Sequence, residues 1–319
     1  MNATSMPSHA HEHAHAHGIG QGLHAGAERS RKLWWAFVLT SVMLLVEAVG
    51  GAWSGSLALL ADAGHMLVDS MALLLALVGA WVAMRPADTR RSYGYGRMEV
   101  LAGFVNALIQ LVLVAWIVYE AVTRLLHPHA ILSGIMLVVA LAGLLVNSFV
   151  LWMLHGHAED DLNMAGAVLH VAGDLLGSLA AVVAALAISS FGWLWADPVL
   201  SIMVALLILN SAWRLLRRSA HILLEGVPEG MDSAEVERSL QELDVSICGI
   251  HHLHVWQLAS GSRMATLHVE LRPAADPERA MQLVRGVLEE RFDIQHVTVQ
   301  IDASGCPDGD QDCRRRAVP

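Results

Sequence analysis

The sequence predicts an α-helical membrane protein with six transmembrane helices and a small cytoplasmic α+β domain. Only 16% of the 319 residues are charged, against roughly 25% in an ordinary soluble domain. Three long stretches, residues 100–119, 125–158 and 175–196, contain no Asp, Glu, Lys or Arg. After residue 219 the apolar runs give way to the shorter helix and strand patterns of a folded soluble domain.

The composition also excludes several classes of protein. A chain this apolar is not a purely soluble enzyme, and three Cys cannot supply the disulfide framework of a small secreted domain. The formal net charge of −10 argues against binding to nucleic acid. The 18 histidines are then the unusual feature that calls for an explanation.

Residues 1–32 are predicted to be a disordered, His-rich cytoplasmic tail. They are polar, rich in Gly, Ala and His, and lack the apolar run of a signal peptide. A disordered string of imidazoles can hold Zn²⁺ loosely, because the chain can arrange several neutral nitrogens around one ion. An inert tail is the alternative. The histidines expected to capture metal weakly are His9, His11, His13, His15 and His17.

Residues 33–218 are predicted to form the six-span transmembrane domain. Each span needs about 20 apolar residues to cross a hydrocarbon layer of about 30 Å. Acidic residues or a proline interrupt three of the apolar segments, so a strict hydropathy threshold would miss them. The six segments lie near residues 33–53, 57–84, 99–124, 131–154, 164–190 and 193–216.

The distribution of Lys and Arg beside the spans predicts the topology. The opposite side of the membrane receives only Arg124. An excess of positive charge marks the cytoplasmic side, which places both termini and the 85–97 loop in the cytoplasm. The predominance of Arg over Lys indicates a bacterial chain, and hence the bacterial inner membrane. The cytoplasmic positive residues are Arg29, Arg31, Lys32, Arg85, Arg90, Arg91, Arg97, Arg214, Arg217 and Arg218.

Residues 219–303 are predicted to fold as a small domain of order α-β-β-α-β, followed by a disordered tail over 304–319. Asp232 with Glu235 forms a capping box that opens a helix to about Leu243. Asp276, followed by Pro277, opens a second helix to about residue 292. Alternating apolar residues predict three strands, around Leu253 and Val255, around Leu267, Val269 and Leu271, and around Val297, Val299 and Ile301.

Two His-x-x-x-Asp pairs lie inside the predicted spans. His65 and Asp69 lie in the second span, and His170 and Asp174 lie in the fifth. Residues four apart share one helix face, so each pair directs one imidazole and one carboxylate the same way. Because both pairs are near mid-span and the two spans are antiparallel, the pairs would meet at a similar depth.

These two pairs predict a metal site within the membrane. An Asp at the bilayer centre costs about 2.5–3.5 kcal/mol on insertion scales, so it needs a partner or a watery cavity. Two imidazoles and two carboxylates in a tetrahedral set suit Zn²⁺ and cancel its charge. The alternative is two buried His–Asp hydrogen bonds that join helices without a metal. Asp62, three residues before His65, is a second-rank candidate for a ligand or a proton carrier.

On these motifs the chain resembles the cation diffusion facilitator family of metal/proton antiporters. The resemblance is carried by residues 56–69 and 170–174, by Tyr-Gly-Tyr-Gly-Arg at 93–97 with Glu99, by six spans and by a terminal α+β domain. It implies a homodimer in the lipid bilayer that exports divalent metal in exchange for protons by alternating access. It also implies that the four residues of the two pairs form the transport site. A His at the position of His65 is associated in the family with zinc, with cadmium and cobalt as side substrates.

The resemblance further implies a regulatory metal site in the cytoplasmic domain at the dimer interface. The matching positions are His251, His268 and Asp302. Gln300 stands where some members have another His ligand, and histidines that are simply exposed are the alternative. Some members carry a metal site in the loop between spans 2 and 3, but here that loop has no histidine.

Two other functions remain in view. A membrane metal sensor with the cytoplasmic domain as its output would not need two ligand pairs at the midplane. An intramembrane metalloprotease would need His-Glu-x-x-His, which the sequence lacks. We therefore predict a transporter of Zn²⁺, with Cd²⁺ or Co²⁺ as further cargo, and no enzymatic activity.

Overall fold

The computed structural model describes residues 16–155, 162–259 and 261–302. The expected metal-capturing residues His9, His11, His13 and His15 lie outside these ranges, as does the expected tail over 304–319. For His17 the structure describes the backbone alone.

Within the described residues, six helices are long and apolar enough to cross a membrane, as the sequence predicts. Their bounds agree with the predicted segments to within a few residues, apart from the start of the first and the end of the last. The helices are α1 Ala16–Ser54, α2 Leu57–Ala83, α3 Arg97–Leu126, α4 Ser133–His155, α5 Leu162–Phe191 and α6 Ala196–Leu223.

Helix α1 begins earlier than the sequence predicts. It starts at Ala16, so the second half of the expected tail is helical. Extending an existing helix costs far less than starting one, because only the first turn must be ordered without compensating hydrogen bonds. Once the first span is helical, Ala25, Ala27, Glu28 and Arg29 extend the helix toward the N-terminus, since all four are good helix formers.

The chain divides into two compact units. The first comprises Met1–Leu67 and Leu113–Ile208, and the second comprises Val68–Val112 and Leu209–Pro319. In the first unit α4 packs against α5 and α1. Small residues dominate the main apolar cluster and let the helix backbones approach closely. That cluster consists of Ala58, Leu59, Met136, Ala140, Ala181, Val182, Ala184, Ala185, Ile188 and Ala196.

Asp197, at the start of α6, holds the start of α2 through a buried hydrogen-bond network. Its Oδ2 accepts from the backbone N–H of Leu57 at 2.7 Å, and its Oδ1 accepts from that of Ala58 at 3.1 Å. The Ser56 hydroxyl donates to Oδ1 at 2.6 Å. The first N–H groups of a helix have no partner within it. The fully buried carboxylate of Asp197 therefore caps α2. Its negative charge is stabilised by the positive end of the helix dipole.

The second unit contains the predicted α-β-β-α-β domain in the predicted order. Strands β1 (Ile247–Ala259) and β2 (Ser262–Leu271) pair antiparallel, and β2 pairs parallel with β3 (His296–Asp302). Asp232 and Asp276 both accept hydrogen bonds from the first turns of their helices, as the capping motifs predict. The elements are α7 Ser233–Gln241, β1 Ile247–Ala259, β2 Ser262–Leu271, α8 Pro277–Phe292 and β3 His296–Asp302.

The core of this domain lies between one face of the sheet and the two helices. Alternate residues of β2, among them Leu267 and Val269, are buried against α8. Helix α8 contributes Val284 and Leu288, one turn apart and fully buried. The opposite face of the sheet therefore carries the polar residues, including the histidines of β1 and β2.

We expect Asp197→Ala to destabilise the protein. The change leaves one hydroxyl and two backbone N–H groups without their acceptor in a buried place, and each such loss costs about 1–3 kcal/mol. Thermal unfolding of the purified protein in detergent should show a clearly lower midpoint. The control is Ser189→Ala on α5, which removes an exposed hydroxyl and should leave the midpoint unchanged. Equal midpoints for the two variants would contradict the capping role.

Candidate metal centre

His65, His170 and Asp174 come together inside the first unit. Each offers a ligand atom, and these atoms all lie within 4.8 Å of one another. The imidazole centroids of His65 and His170 are 6.1 Å apart. His170 Nε2 is 3.6 Å from Asp174 Oδ2. Two helices distant in sequence, α2 and α5, thus bring together three of the four residues that the motifs single out.

The geometry of this group suits a tetrahedral ion. Ligand atoms about 2 Å from a tetrahedral zinc lie about 3.3 Å from one another, and the His170–Asp174 separation is close to that value. Asp174 is buried and His170 is partly exposed. The group is therefore accessible at His170 and closed at Asp174.

Asp69, the fourth predicted residue, is not among the three grouped ligands. It lies one turn after His65 on the continuous helix α2, and its Oδ1 accepts a hydrogen bond from Gln110 Nε2 at 3.2 Å. Gln110 is itself buried and comes from α3. The amide of Gln110 therefore holds one oxygen of the Asp69 carboxylate.

Two further carboxylates, which the sequence analysis ranked low or left aside, are buried in the same unit. Glu47 of α1 is fully buried, and Asp62 of α2 is 2% exposed. Both lie close enough to Asp174 for their charges to interact. Within the described residues, neither oxygen of Glu47 has a hydrogen-bond partner. In the sequence, Glu47 and Asp62 stand out as acidic residues among apolar ones. That pattern does not indicate which helix their carboxylates face.

Small residues on α4 and α5 make room for these carboxylates. A Cβ added at Gly143 would lie 2.6 Å from Glu47 Oε1 and 3.0 Å from Ser178 Oγ. A Cβ at Gly177 would lie 2.8 Å from Asp62 Oδ1. The Ser178 hydroxyl accepts from Asn147 Nδ2 at 3.2 Å and hydrogen-bonds to Asp62. Glu47 and Asp62 therefore occupy space that exists because residues 143 and 177 are glycines.

A second group of ligand atoms lies on the polar face of the cytoplasmic sheet. His251 of β1, His268 of β2 and Asp302 of β3 offer atoms within 4.8 Å of one another. Asp302 Oδ2 lies 2.9 Å from His251 Nε2 and 3.1 Å from His268 Nδ1. Sheet register brings them together, because His251 is directly opposite His268 on the neighbouring strand. Two imidazoles and a carboxylate are a donor set that fits Zn²⁺.

Gln300 occupies an outer position in this second group. Its Nε2 donates to Asp302 Oδ1 at 3.1 Å, which leaves Oδ2 to the two imidazoles. Burial opposes ionisation of Asp302, but the hydrogen bonds from Gln300, His268 and His251 outweigh it. They hold the pKa of this carboxyl below its ordinary value. Outer partners of this kind fix the orientation of a ligand.

The Tyr-Gly-Tyr-Gly-Arg segment has a structural role in its own loop. Asp88 accepts from the Tyr95 hydroxyl at 2.8 Å and from the backbone N–H groups of Arg90 and Arg91. These hydrogen bonds lower the pKa of Asp88, the Tyr95 bond contributing most. Gly94 adopts a left-handed conformation. Asp88 thus closes the loop through these hydrogen bonds.

A membrane bundle with a ligand cluster inside it and an α+β domain after it defines a cation-transporting membrane protein. Residues 33–224 match the cation efflux transmembrane domain, and residues 228–304 match the cytoplasmic domain of cation efflux proteins. The chain belongs to the cation efflux, or cation diffusion facilitator, family. This confirms the resemblance read from the motifs and the prediction that the protein is a transporter and not an enzyme.

Several curated bacterial proteins are similar over most of their length. The zinc transporter ZitB of Escherichia coli is 45% identical over 87% of this chain and 88% of its own. The metal cation efflux system protein CzcD of Cupriavidus metallidurans is 41% identical over 89% and 90%. The cadmium, cobalt and zinc/H(+)-K(+) antiporter of Bacillus velezensis is 36% identical over 88% and 91%.

One solved structure covers the cytoplasmic part alone. It is the metal-bound C-terminal domain of the CzcD transporter from Cuprividus metallidurans, with 35% sequence identity. The match covers 23% of this chain and all of that one, with a TM-score of 0.22.

The packing around Asp62 can be tested with two glycines one turn apart on α5. Gly177→Ala places a methyl group against Asp62, and overpacking of this kind costs about 1–3 kcal/mol. At Gly173 an added Cβ meets no described atom within 4 Å, so Gly173→Ala should be neutral or gain up to about 1 kcal/mol of helix propensity. Thermal unfolding in detergent should give a lower midpoint for Gly177→Ala only. A midpoint lowered equally in both variants would contradict this arrangement.

Proposed function

We propose that this protein exports Zn²⁺ from the cytoplasm in exchange for protons, with Cd²⁺ and Co²⁺ as further cargo. The observation that carries the proposal is the group of His65, His170 and Asp174, whose ligand atoms lie within 4.8 Å of one another inside membrane-spanning helices. The names of the relatives supply the cargo: ZitB is a zinc transporter, and the B. velezensis protein is an antiporter of cadmium, cobalt and zinc.

In this proposal Asp69 is the fourth ligand of the transport site. It shares a helix face with His65 one turn away, and its hydrogen bond to Gln110 is exchangeable for a bond to the ion. Two neutral imidazoles and two carboxylates then give the Zn²⁺ site a net charge near zero, which suits an apolar surrounding. The nitrogen and oxygen donor set favours zinc over the hard cations Mg²⁺ and Ca²⁺, which prefer oxygen ligands.

Proton exchange follows from the fate of the carboxylates when the ion leaves. Glu47, Asp62 and Asp174 are all buried in one unit, and negative charges without a counter-ion are costly in such a place. Protons on the carboxylates or on the imidazoles remove that cost. Metal and protons therefore compete for one site, and each expels the other. A gradient with its acidic side outside would drive zinc outward.

The predicted topology gives this exchange its direction. Lys and Arg are concentrated beside the two termini and in the 85–97 loop. This distribution supports a cytoplasmic location for the termini and for the loop. The α+β domain then lies in the cytoplasm, on the side from which zinc is removed.

The cytoplasmic group is proposed as a regulatory zinc site of a homodimer. Its support is the donor set of His251, His268 and Asp302 on one sheet face and the match of this domain to the cytoplasmic domain of cation efflux proteins. Zinc that binds more tightly to one arrangement of the dimer than to another would favour that arrangement.

Asp69→Ala and Asp174→Ala should each abolish zinc transport while leaving a folded, membrane-inserted protein. Each change removes a ligand and leaves the cation under-compensated, yet it also removes an insertion cost. Zinc uptake into proteoliposomes should fall by about a hundredfold or more, beyond what loss of an outer partner produces. Glu237→Ala, which removes a partly exposed carboxylate on α7, far in sequence from both ligand pairs, is the control. Parental uptake by either ligand variant would refute the site assignment.

The proton coupling is tested by imposing a pH gradient across proteoliposomes loaded with a zinc dye. With the acidic side opposite the zinc-supplying side, uptake should accelerate. It should slow when the gradient is reversed or is collapsed with an ionophore, because protons and zinc share the site. Zinc flux that is independent of the gradient and carries no counter-flow of protons would contradict antiport while leaving the metal site intact.

A further inference from the structure

A bulge in β1 places two consecutive histidines at the cytoplasmic group. His251 is opposite His268, but the next pair in register is His254 with Thr266. Three residues of β1 thus advance along two residues of β2, so β1 contains one extra residue. The bulge lies at His252, whose φ of 52° is left-handed. That conformation is uncommon outside glycine and is strained for a residue with a Cβ.

The effect of the bulge is visible in the burial pattern of β1. In a regular strand alternate residues face the core, so neighbours point to opposite sides. Here Ile250, Leu253 and Val255 are buried, with two residues between the first and second and one between the second and third. His251 and His252 occupy the double gap. Both therefore lie on the polar face, where a regular strand would have turned one of them into the core.

The centres of the three imidazole rings are spaced like those of rings bound to one ion, and a turn of the His252 ring would bring its nitrogen to the three grouped ligand atoms. Two imidazoles bound to a tetrahedral zinc at about 2.0–2.1 Å have ring centroids about 5 Å apart. The observed separations are 5.3 Å between His251 and His268, 5.5 Å between His251 and His252, and 5.0 Å between His252 and His268. The centres of the three rings thus form a nearly equilateral triangle. Asp302 hydrogen-bonds to two of these rings, those of His251 and His268.

We propose that His252 is a fourth ligand of the cytoplasmic zinc site, and that the β1 bulge exists to deliver it. This inference rests on the regulatory site proposed above and specifies its ligand set. Three imidazoles and one carboxylate fill a tetrahedral shell. A single chain then closes the site without a water or a donor from the partner, and the strained backbone at His252 is retained for binding and not for folding.

Replacing His252 should leave stability unchanged or raise it, while it lowers the affinity for metal. His252→Gly removes the imidazole and replaces it with the residue that best tolerates a left-handed backbone. The metal-free protein should unfold at the same or a higher temperature. Affinity for Co²⁺, a spectroscopic probe for zinc, should fall by about tenfold to a hundredfold or more. A residue kept for a structural purpose would instead lower the unfolding temperature when removed.

The test uses the full chain with its other metal-binding groups removed. The parent carries His65→Ala and His170→Ala, together with Asn at each of the tail histidines His9, His11, His13, His15 and His17. Co²⁺ is titrated into this protein in detergent, and visible absorption reports both affinity and coordination number. His252→Gly is compared with His252→Asn, since Asn also tolerates the left-handed region. His296→Ala, at the opposite end of β3, is the control for a lost imidazole. Ala274→Gly is the control for relieved strain, because exposed Ala274 is left-handed too.

The parent and both controls should show the intense absorption of tetrahedral Co²⁺. Both His252 variants should show weaker absorption and lower affinity for Co²⁺. Parental affinity and spectrum in His252→Gly and His252→Asn would overturn the fourth ligand and leave a three-ligand regulatory site. The parent is also compared with a version that carries His268→Ala and Asp302→Ala. If the two proteins have the same Co²⁺ affinity and spectrum, the regulatory site is absent and the fourth ligand with it.

Discussion

The cost of placing carboxylates in an apolar interior is the constraint on which the membrane part depends. Glu47, Asp62, Asp174 and Asp197 are each at most 2% exposed, and an unpaired charge there would cost several kcal/mol. The chain meets this cost in two ways. Asp197 is surrounded by hydrogen-bond donors from the start of α2 and has a structural role. Asp62 hydrogen-bonds to Ser178, and Asp174 lies beside two imidazoles. In the proposed function, exchangeable cations offset the charge of these carboxylates and of Glu47.

The difference between these two environments explains how one bundle can be both stable and able to transport. A carboxylate with three donors at fixed distances needs no cation and holds the helices in place. Glu47 and Asp62 instead lie in the space left by Gly143 and Gly177. In the proposed function, zinc and protons alternately neutralise the carboxylates of this region, so their coupling requires no separate proton path.

Much of this organisation was predictable from the sequence. The charge-free runs gave the six spans, the capping motifs at Asp232 and Asp276 gave the helix starts of the cytoplasmic domain, and strand alternation gave its order. The His-x-x-x-Asp spacing identified His65, His170 and Asp174, because helical periodicity is fixed by geometry. Other features depend on three-dimensional packing. The sequence does not reveal that Glu47 and Asp62 approach Asp174, that Asp197 caps a helix distant in sequence, or that β1 contains a bulge. The early start of α1 is not predicted by the polar, Gly- and His-rich composition of residues 1–32, because the helix propagates from the neighbouring span.

We propose that histidine and aspartate side chains within the membrane hold the zinc that is exported. X-ray absorption at the zinc edge tests it most directly, on full-length protein with His268→Ala and Asp302→Ala and with one equivalent of zinc. We expect a four-coordinate shell of nitrogen and oxygen with two imidazoles at about 2.0–2.1 Å, and loss of the imidazole signal in the His65→Ala, His170→Ala variant. A six-coordinate shell of oxygen, or a spectrum unchanged by those replacements, would contradict it.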